Sequence, residues 1–145
     1  MALGGTSGTR GVDTAHSVLE AAETARELAS ELGTVLAITG PTDIVTDGER
    51  TFRVGNGHPL MSRVTGTGCA ASAVCAALSA LEKDGCLAAA SALALVGAAG
   101  EQAGRSASGP GSFQAAFLDA LYTITPEELA AGANIASGHE QSSPG

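Results

Sequence analysis

A turn of small residues, Val64-Thr65-Gly66-Thr67-Gly68-Cys69, runs straight into the apolar segment Ala70-Ala-Ser-Ala-Val-Cys-Ala-Ala-Leu78. This junction constrains the chain more than any other, because it has to be built as a tight turn that opens a helix. Gly66 and Gly68 leave the backbone bare, so its N–H groups can approach an anion closely. A helix start adds unpaired donors and a partial positive charge. A phosphoryl group suits that geometry, and Cys69 places an ionisable side chain at the same point. The same spacing also suits a loop that only lets a helix pack close to a strand.

The helix has to pack in a core without bulk. Of the 145 residues 44% are apolar but only 3% aromatic, with three Phe, one Tyr and no Trp. Ala, Leu, Val and Ile therefore carry the interior, which favours close helix–helix and helix–sheet contacts. The length fits a single domain. Seven basic residues against fifteen acidic ones give a net charge of −8. That balance argues against nucleic acid and against anionic membrane surfaces as partners. It leaves room for ATP, whose phosphates backbone amides and a few arginines can hold. Cys69, Cys75 and Cys86 show no metal-binding spacing, which favours a reducing cytoplasmic compartment. No signal-peptide pattern opens the sequence. The apolar run Cys86–Gly100 is shorter than the ~20 residues of a membrane span, so a buried helix is expected there.

The spacing of Val18, Ala21, Ala22, Ala25, Leu28, Ala29 and Leu32 predicts a helix after a Gly/Thr/Ser-rich loop (residues 1–12), capped by Asp13 or Thr14 and stopped at Gly33. Thr34-Val-Leu-Ala-Ile-Thr39 predicts a strand buried on both faces, the habit of parallel sheets. Asp43-Ile-Val-Thr46 and Thr51-Phe-Arg-Val54 flank Asp47-Gly48, a two-residue hairpin signal. Gly55-Asn-Gly-His-Pro59 is a loop, and a short strand is expected through Val64. Helices are expected from Cys69 to about Lys83, from about Leu87 to Ala103, from Phe113 to Tyr122 and from Thr125 onward. Gly97 and Gly100 lie inside the second of these. Because glycine there costs about 1 kcal/mol against alanine, they mark close backbone approach. Residues 137–145 are polar and expected to be disordered. The order of elements fits an α/β sandwich with too few strands for its helices.

Cys69 is either a buried, inert thiol or a proton acceptor whose pKa a helix N-terminus lowers. Thr39-Gly40 ends a strand, where ligand crevices tend to lie. Arg63, Arg105 and His58 are weaker candidates, and Gly109-Pro-Gly-Ser112 is either a second ligand-facing loop or a helix break. The sequence has no GxxxxGK[ST], no strand-linked GxGxxG and no GxSxG.

Four segments in order complete the reading. They are Arg10-Gly-Val-Asp13, Ala37-Ile-Thr-Gly-Pro-Thr-Asp-Ile-Val-Thr-Asp-Gly48, Asn56-Gly-His-Pro-Leu-Met-Ser-Arg-Val-Thr-Gly-Thr-Gly-Cys69 and Gly109-Pro-Gly-Ser-Phe-Gln-Ala-Ala-Phe-Leu-Asp-Ala-Leu-Tyr122. Together they resemble hydroxyethylthiazole kinase, the thiamine-salvage member of the ribokinase-like superfamily, across about residues 3 to 123. The resemblance implies a ribokinase-like α/β sandwich, incomplete because the N-terminal part of the sheet is lacking. Residues 1–136 would be the C-terminal portion of the kinase domain. It further implies ATP-dependent phosphorylation of 4-methyl-5-(2-hydroxyethyl)thiazole with Mg²⁺, in a homotrimer. Thr39 would contact ATP and Gly66 the thiazole. Thr67, Gly68 and Cys69 would form an anion hole, with Cys69 as catalytic base. The family's Asn-x-x-Glu segment, associated with the metal, has no counterpart upstream of Arg10, so no metal ligand is assigned. An inactive remnant, or a subunit that depends on a partner, is the alternative. A related kinase with another alcohol substrate is a third reading, disfavoured by Cys69 and the Asn56-Gly-His-Pro59 segment.

Overall fold

The computed structural model describes residues 10–138, with side chains from residue 19 onward. The loop expected before residue 10 and the tail after residue 138 lie outside these residues. Helix α1 (Arg10–Leu32) leads into strands β1 (Leu36–Ile38), β2 (Asp43–Thr46) and β3 (Thr51–Val54). A 3₁₀ turn, Pro59–Arg63, precedes α2 (Thr67–Ser79), α3 (Gly85–Ser106), α4 (Pro110–Thr123), α5 (Pro126–Gly132) and β4 (Ile135–Gly138). The strands form one antiparallel sheet in the order β1-β2-β3-β4. Side chains alternate across it. Val45 and Val54 point into the core built on α3 and α4. Ile44, 2% exposed, points to the other face, where α1 packs on β1 and β2. Ala22, Ala25 and Ala29 are the buried face of α1, small enough for close helix–sheet contact.

The buried parallel-type strand expected at Thr34–Thr39 is not what forms. β1 has three residues, pairs antiparallel with β2 (Ala37 opposite Val45), and leaves Ala37 and Ile38 exposed. The apolar run predicted two covered faces, but among the described residues Ala37 and Ile38 stay exposed. The hairpin forms between the expected strands, but its turn has four residues rather than the two that Asp47-Gly48 signalled. The ladder closes at Thr46 opposite Thr51, and Asp47 Oδ1 accepts from the N–H groups of Glu49 (3.0 Å) and Arg50 (2.7 Å). The short strand expected before Val64 is the 3₁₀ turn instead. His58 is extended before Pro59, as a residue preceding proline should be, and Pro59 then starts the turn. β4 takes up Ser137 and Gly138, which were expected in the tail. It was not foreseen, because Ile135-Ala-Ser-Gly138 has neither alternation nor β-branched density. α1 begins at Arg10, before the expected cap at Asp13 or Thr14, and Gly33 (φ +60°) stops it as expected.

α3 is the central helix. It is long and apolar enough to cross a membrane by composition, but 67% of its most apolar window is buried in the protein. Asp84 caps it, accepting from the N–H groups of Cys86 and Leu87, both at 3.1 Å. The same carboxylate meets the Arg50 guanidinium at 2.6 Å and 3.0 Å, and Arg50 also holds Asp47 at 2.6 Å and 2.8 Å. This bracket ties the β2–β3 hairpin to the start of α3. Arg50 and the two capping amides hold the Asp84 carboxyl down at about 2.

An acid whose folded pKa lies below its unfolded value near 3.9 stabilises the fold above that value, and loses the effect as pH falls toward the folded one. The thermal midpoint is therefore expected to fall between pH 4 and pH 2. Asp84→Asn keeps a capping side chain and removes the ion pair, so its midpoint should drop less over the same window. Equal slopes for both proteins in a melting series would contradict the bracket.

Candidate functional site

The cavity forms where a glycine-notched helix lets a loop sit down. A side chain at Gly97 would meet the Asn56 carbonyl oxygen at 2.5 Å; one at Gly100 would meet Met61 Sδ at 2.5 Å, and one at Gly104 would run into the His58 ring. The close approach expected at Gly97 and Gly100 is thus present, and Gly104 extends it. On this seat lies the loop Gly55–Val64. Asn56, 6% exposed, is its anchor. Its Nδ2 donates to Glu101 Oε1 (3.1 Å) and the Gly132 carbonyl (2.9 Å), and its Oδ1 accepts from the Asn134 N–H (2.7 Å). Glu101 Oε1 also accepts from the Gly57 N–H at 3.0 Å. One buried amide therefore joins the loop, α3 and the chain around α5.

His58 is part of the seat. Its Nδ1 accepts from the Leu60 N–H at 3.2 Å, and its ring stacks on Phe113 with centroids 5.7 Å apart. The end of the loop is tied to the glycine turn: Thr67 Oγ1 donates to the Met61 carbonyl (3.1 Å), and Gln114 Nε2 donates to the Thr65 carbonyl (3.3 Å). Gly66 then turns the chain with φ +101°, which a side chain would strain, and stands as the N-cap of α2 with no side chain to cap it. The first intrahelical bond is Ala70 N–H to the Gly66 carbonyl at 2.9 Å. The amides of Thr67, Gly68 and Cys69 are thus left at an uncapped helix N-terminus, the arrangement that favours an anion.

Beside them is a cavity of about 640 Å³. Thr39, Gly40 and Asp43 line it from the β1–β2 connection, Asn56 to Pro59 and Met61 to Arg63 from the loop, and Thr67, Gly68 and Ala71 from α2. Of the residues expected to act, Thr39, Thr67 and Gly68 are on the wall; Gly66 and Cys69 flank it without lining it. Cys69 is exposed, whereas Cys75 is half-buried and Cys86 buried. Burial pushes the Cys86 thiol up to about 11 and raises Cys75 as well, so both are poor thiolates. Arg63 and His58 line the cavity; Arg105 and the Gly109–Ser112 segment do not. That segment is the start of α4, with Ser112 Oγ accepting from the Ser108 N–H (2.9 Å) and the Gly109 N–H (3.2 Å).

Sequence reasoning missed Asp43. It is half-buried on the wall, its Oδ1 accepts from the Gly40 N–H at 2.9 Å, and burial raises its pKa against that bond. The Thr39-Gly40-Pro-Thr-Asp43 spacing, an acid three residues beyond a glycine turn, was the available signal. Among the described residues no three His, Cys, Asp or Glu side chains gather as a metal site, and Asp43 is the single carboxylate on the wall.

A family model described as "Hydroxyethylthiazole kinase family" matches residues 1–127. The chain is 60% identical to a hydroxyethylthiazole kinase of Desulfotalea psychrophila over 129 residues, 89% of this chain and 47% of that protein. It is 49% identical to that of Moorella thermoacetica, covering 92% of this chain and 50% of the other. A solved hydroxyethylthiazole kinase from Pyrococcus horikoshii superposes with a TM-score of 0.80 at 39% identity, over 85% of this chain and 48% of its own. The chain spans about half the length of the curated relatives it matches, so the architecture is an incomplete ribokinase-like α/β fold.

If the glycine seat holds the cavity, Gly97→Ala should destabilise by about 1–3 kcal/mol through overpacking against backbone. That loss should appear although alanine is the better helix former by about 1 kcal/mol. Gly111→Ala, with open space around it, should be neutral or stabilising. Denaturant melts of the two variants check this, and a Gly97→Ala protein as stable as the parent would refute the seat.

Proposed function

The chain belongs to the hydroxyethylthiazole kinase family, and on that premise we propose that it carries the phosphate-holding and proton-accepting part of a thiazole-alcohol kinase site. In this reading the hydroxyl of 4-methyl-5-(2-hydroxyethyl)thiazole attacks the γ-phosphorus of ATP. The new bond joins the alcohol oxygen to phosphorus, the bond to the ADP oxygen breaks, and the alcohol proton passes to Cys69. The amides of Thr67, Gly68 and Cys69 stabilise the charge that spreads over the moving phosphoryl group. Thr39 contacts the nucleotide and Gly66 the thiazole.

One observation carries the proposal. The only thiol left exposed among the three cysteines stands at an uncapped helix N-terminus whose first residues line the cavity. Phosphoryl transfer depends mostly on positioning and electrostatics. Backbone amides are suited to that role because their direction is set by the helix. Magnesium enters only as the ion that ATP phosphates bring with them. With one carboxylate on the wall, the chain's own donors do not make a site for it, and no step is routed through it. The compartment proposed is the cytoplasm, and the assembly proposed for the complete fold is a homotrimer. Turnover by this chain alone should be far below that of its longer relatives, because charge neutralisation from the remainder of the fold is absent.

ATP should bind this chain, and Gly68→Asp should weaken that binding roughly tenfold or more by setting a carboxylate against the phosphates. Calorimetry with ATP on both proteins decides it; equal affinities would sink the cradle. In a product assay with ATP, magnesium and the thiazole alcohol, Cys69→Ala should lower kcat by about 10²–10⁴-fold, the usual worth of a general base, with KM little changed. Unaltered turnover would remove Cys69 from the chemistry.

A further inference from the structure

We propose that Gln114 is a positioning residue for the anion end of the cavity, acting on the Gly66 turn from the start of α4. Its role in ligand binding rests on the reading of that turn as a phosphate cradle; its hold on the turn does not.

The start of α4 has no part in the cavity wall, yet it is firmly built. Pro110 opens the helix. Ser112 Oγ accepts from the N–H groups of Ser108 and Gly109, and the Phe113 N–H donates to the Gly109 carbonyl at 2.9 Å. Phe113 is 0% exposed, and its ring stacks on those of His58 and Phe117 with centroids 5.7 Å and 6.0 Å away. A buried ring held by two partners fixes the rotation of this end of the helix. The next side chain is therefore delivered to a set place. There Gln114 Nε2 donates to the Thr65 carbonyl at 3.3 Å, across 49 residues of sequence. This is the one hydrogen bond of the Gln114 side chain among the described residues, and the residue is exposed, so burial does not account for an amide there.

The consequence follows from the rigidity of the peptide unit. The Thr65 carbonyl and the Gly66 N–H belong to one planar trans group and point in opposite directions. Holding the oxygen toward α4 aims that N–H away from α4 and fixes the plane from which the chain enters Gly66. Gly66 then takes φ +101°, and glycine is nearly as free on either side of zero, so the turn does not hold itself. Two ties from outside hold it: the Thr67 hydroxyl on the Met61 carbonyl at 3.1 Å, and Gln114 on the Thr65 carbonyl. Thr67 is on the cavity wall, whereas Gln114 does not line the cavity. Removing the Gln114 donor thus loosens the turn without altering a group that faces a ligand. An anion held by backbone amides needs each N–H directed at it, so a looser turn binds it less tightly.

The test is Gln114→Met, which keeps the length of the side chain and loses the donor. Ala115→Met, at the exposed neighbouring position on α4, is the control. Both variants should melt with the parent. ATP affinity by calorimetry should fall about three- to tenfold in Gln114→Met, the net worth of one hydrogen bond, and stay unchanged in Ala115→Met. Without ligand, the amide resonances of Gly66 and Thr67 should shift in Gln114→Met alone. Exchange at the Ala70 N–H, which bonds the Gly66 carbonyl, should quicken at least about threefold while amides in the middle of α3 hold their rates. Parent-like ATP affinity in Gln114→Met would overturn the proposal, and so would Gly66 and Thr67 resonances that do not move. If the parent itself binds no ATP, the cradle reading falls on that result alone, and the unliganded resonances and exchange still decide whether Gln114 sets the turn.

Discussion

The cavity depends on one contact, the seating of the loop Gly55–Val64 into the notches of α3. Three glycines in one helix weaken it by about 1 kcal/mol each relative to alanine. At Gly97, Gly100 and Gly104 a single added carbon would strike Asn56, Met61 or His58. The rest of the wall follows from that seat by short steps. His58 stacks on Phe113 of α4, the Met61 carbonyl receives the Thr67 hydroxyl, and the Thr65 carbonyl receives Gln114. The first turn of α2 is therefore aimed by α3 and α4, through a loop with little regular structure of its own.

Polar satisfaction explains why such a loop is stable. A buried amide side chain without partners would cost about 1–3 kcal/mol. Asn56 instead spends both of its amide ends on two distant segments, α3 and the chain at the end of α5. Glu101 serves Asn56 and the Gly57 N–H with the same oxygen. The Arg50 bracket works by the same logic at the far end of α3, where Asp84 is helix cap and ion-pair partner together. Each end of the central helix is thus tied to the sheet or its loops by a polar group with more than one role.

Much of this was legible in the sequence, and the failures have physical causes. Helical periodicity, Thr125 before Pro126, and the glycines inside α3 all described local or nearest-neighbour physics, and the structure agrees with them. The run Thr34–Thr39 misled because hydrophobicity records the burial a segment is suited to, not the cover that this chain supplies. Asp47-Gly48 marked the hairpin but not its length, because the Asp47 side chain captures two amides and opens the turn. Gly66, Thr67 and Gly68 could be picked out because their junction is contiguous in sequence, and the structure places them at an uncapped helix start beside the cavity. Asp43 was missed although its spacing from Gly40 was legible, and Glu101 because its partners, Asn56 and Gly57, lie far away in sequence.

In open α/β sheets the ligand crevice lies beyond the carboxyl ends of neighbouring strands. Thr39 at the carboxyl end of β1 is on the cavity wall. The charged groups on that wall are one carboxylate, Asp43, and one cation, Arg63. The amides of Thr67, Gly68 and Cys69 come from consecutive residues of one helix, so no other element is needed to bring them together. The two charges on the wall come instead from separate elements, Asp43 from β2 and Arg63 from the loop, and the packing of that loop on α3 is what brings them to one hollow.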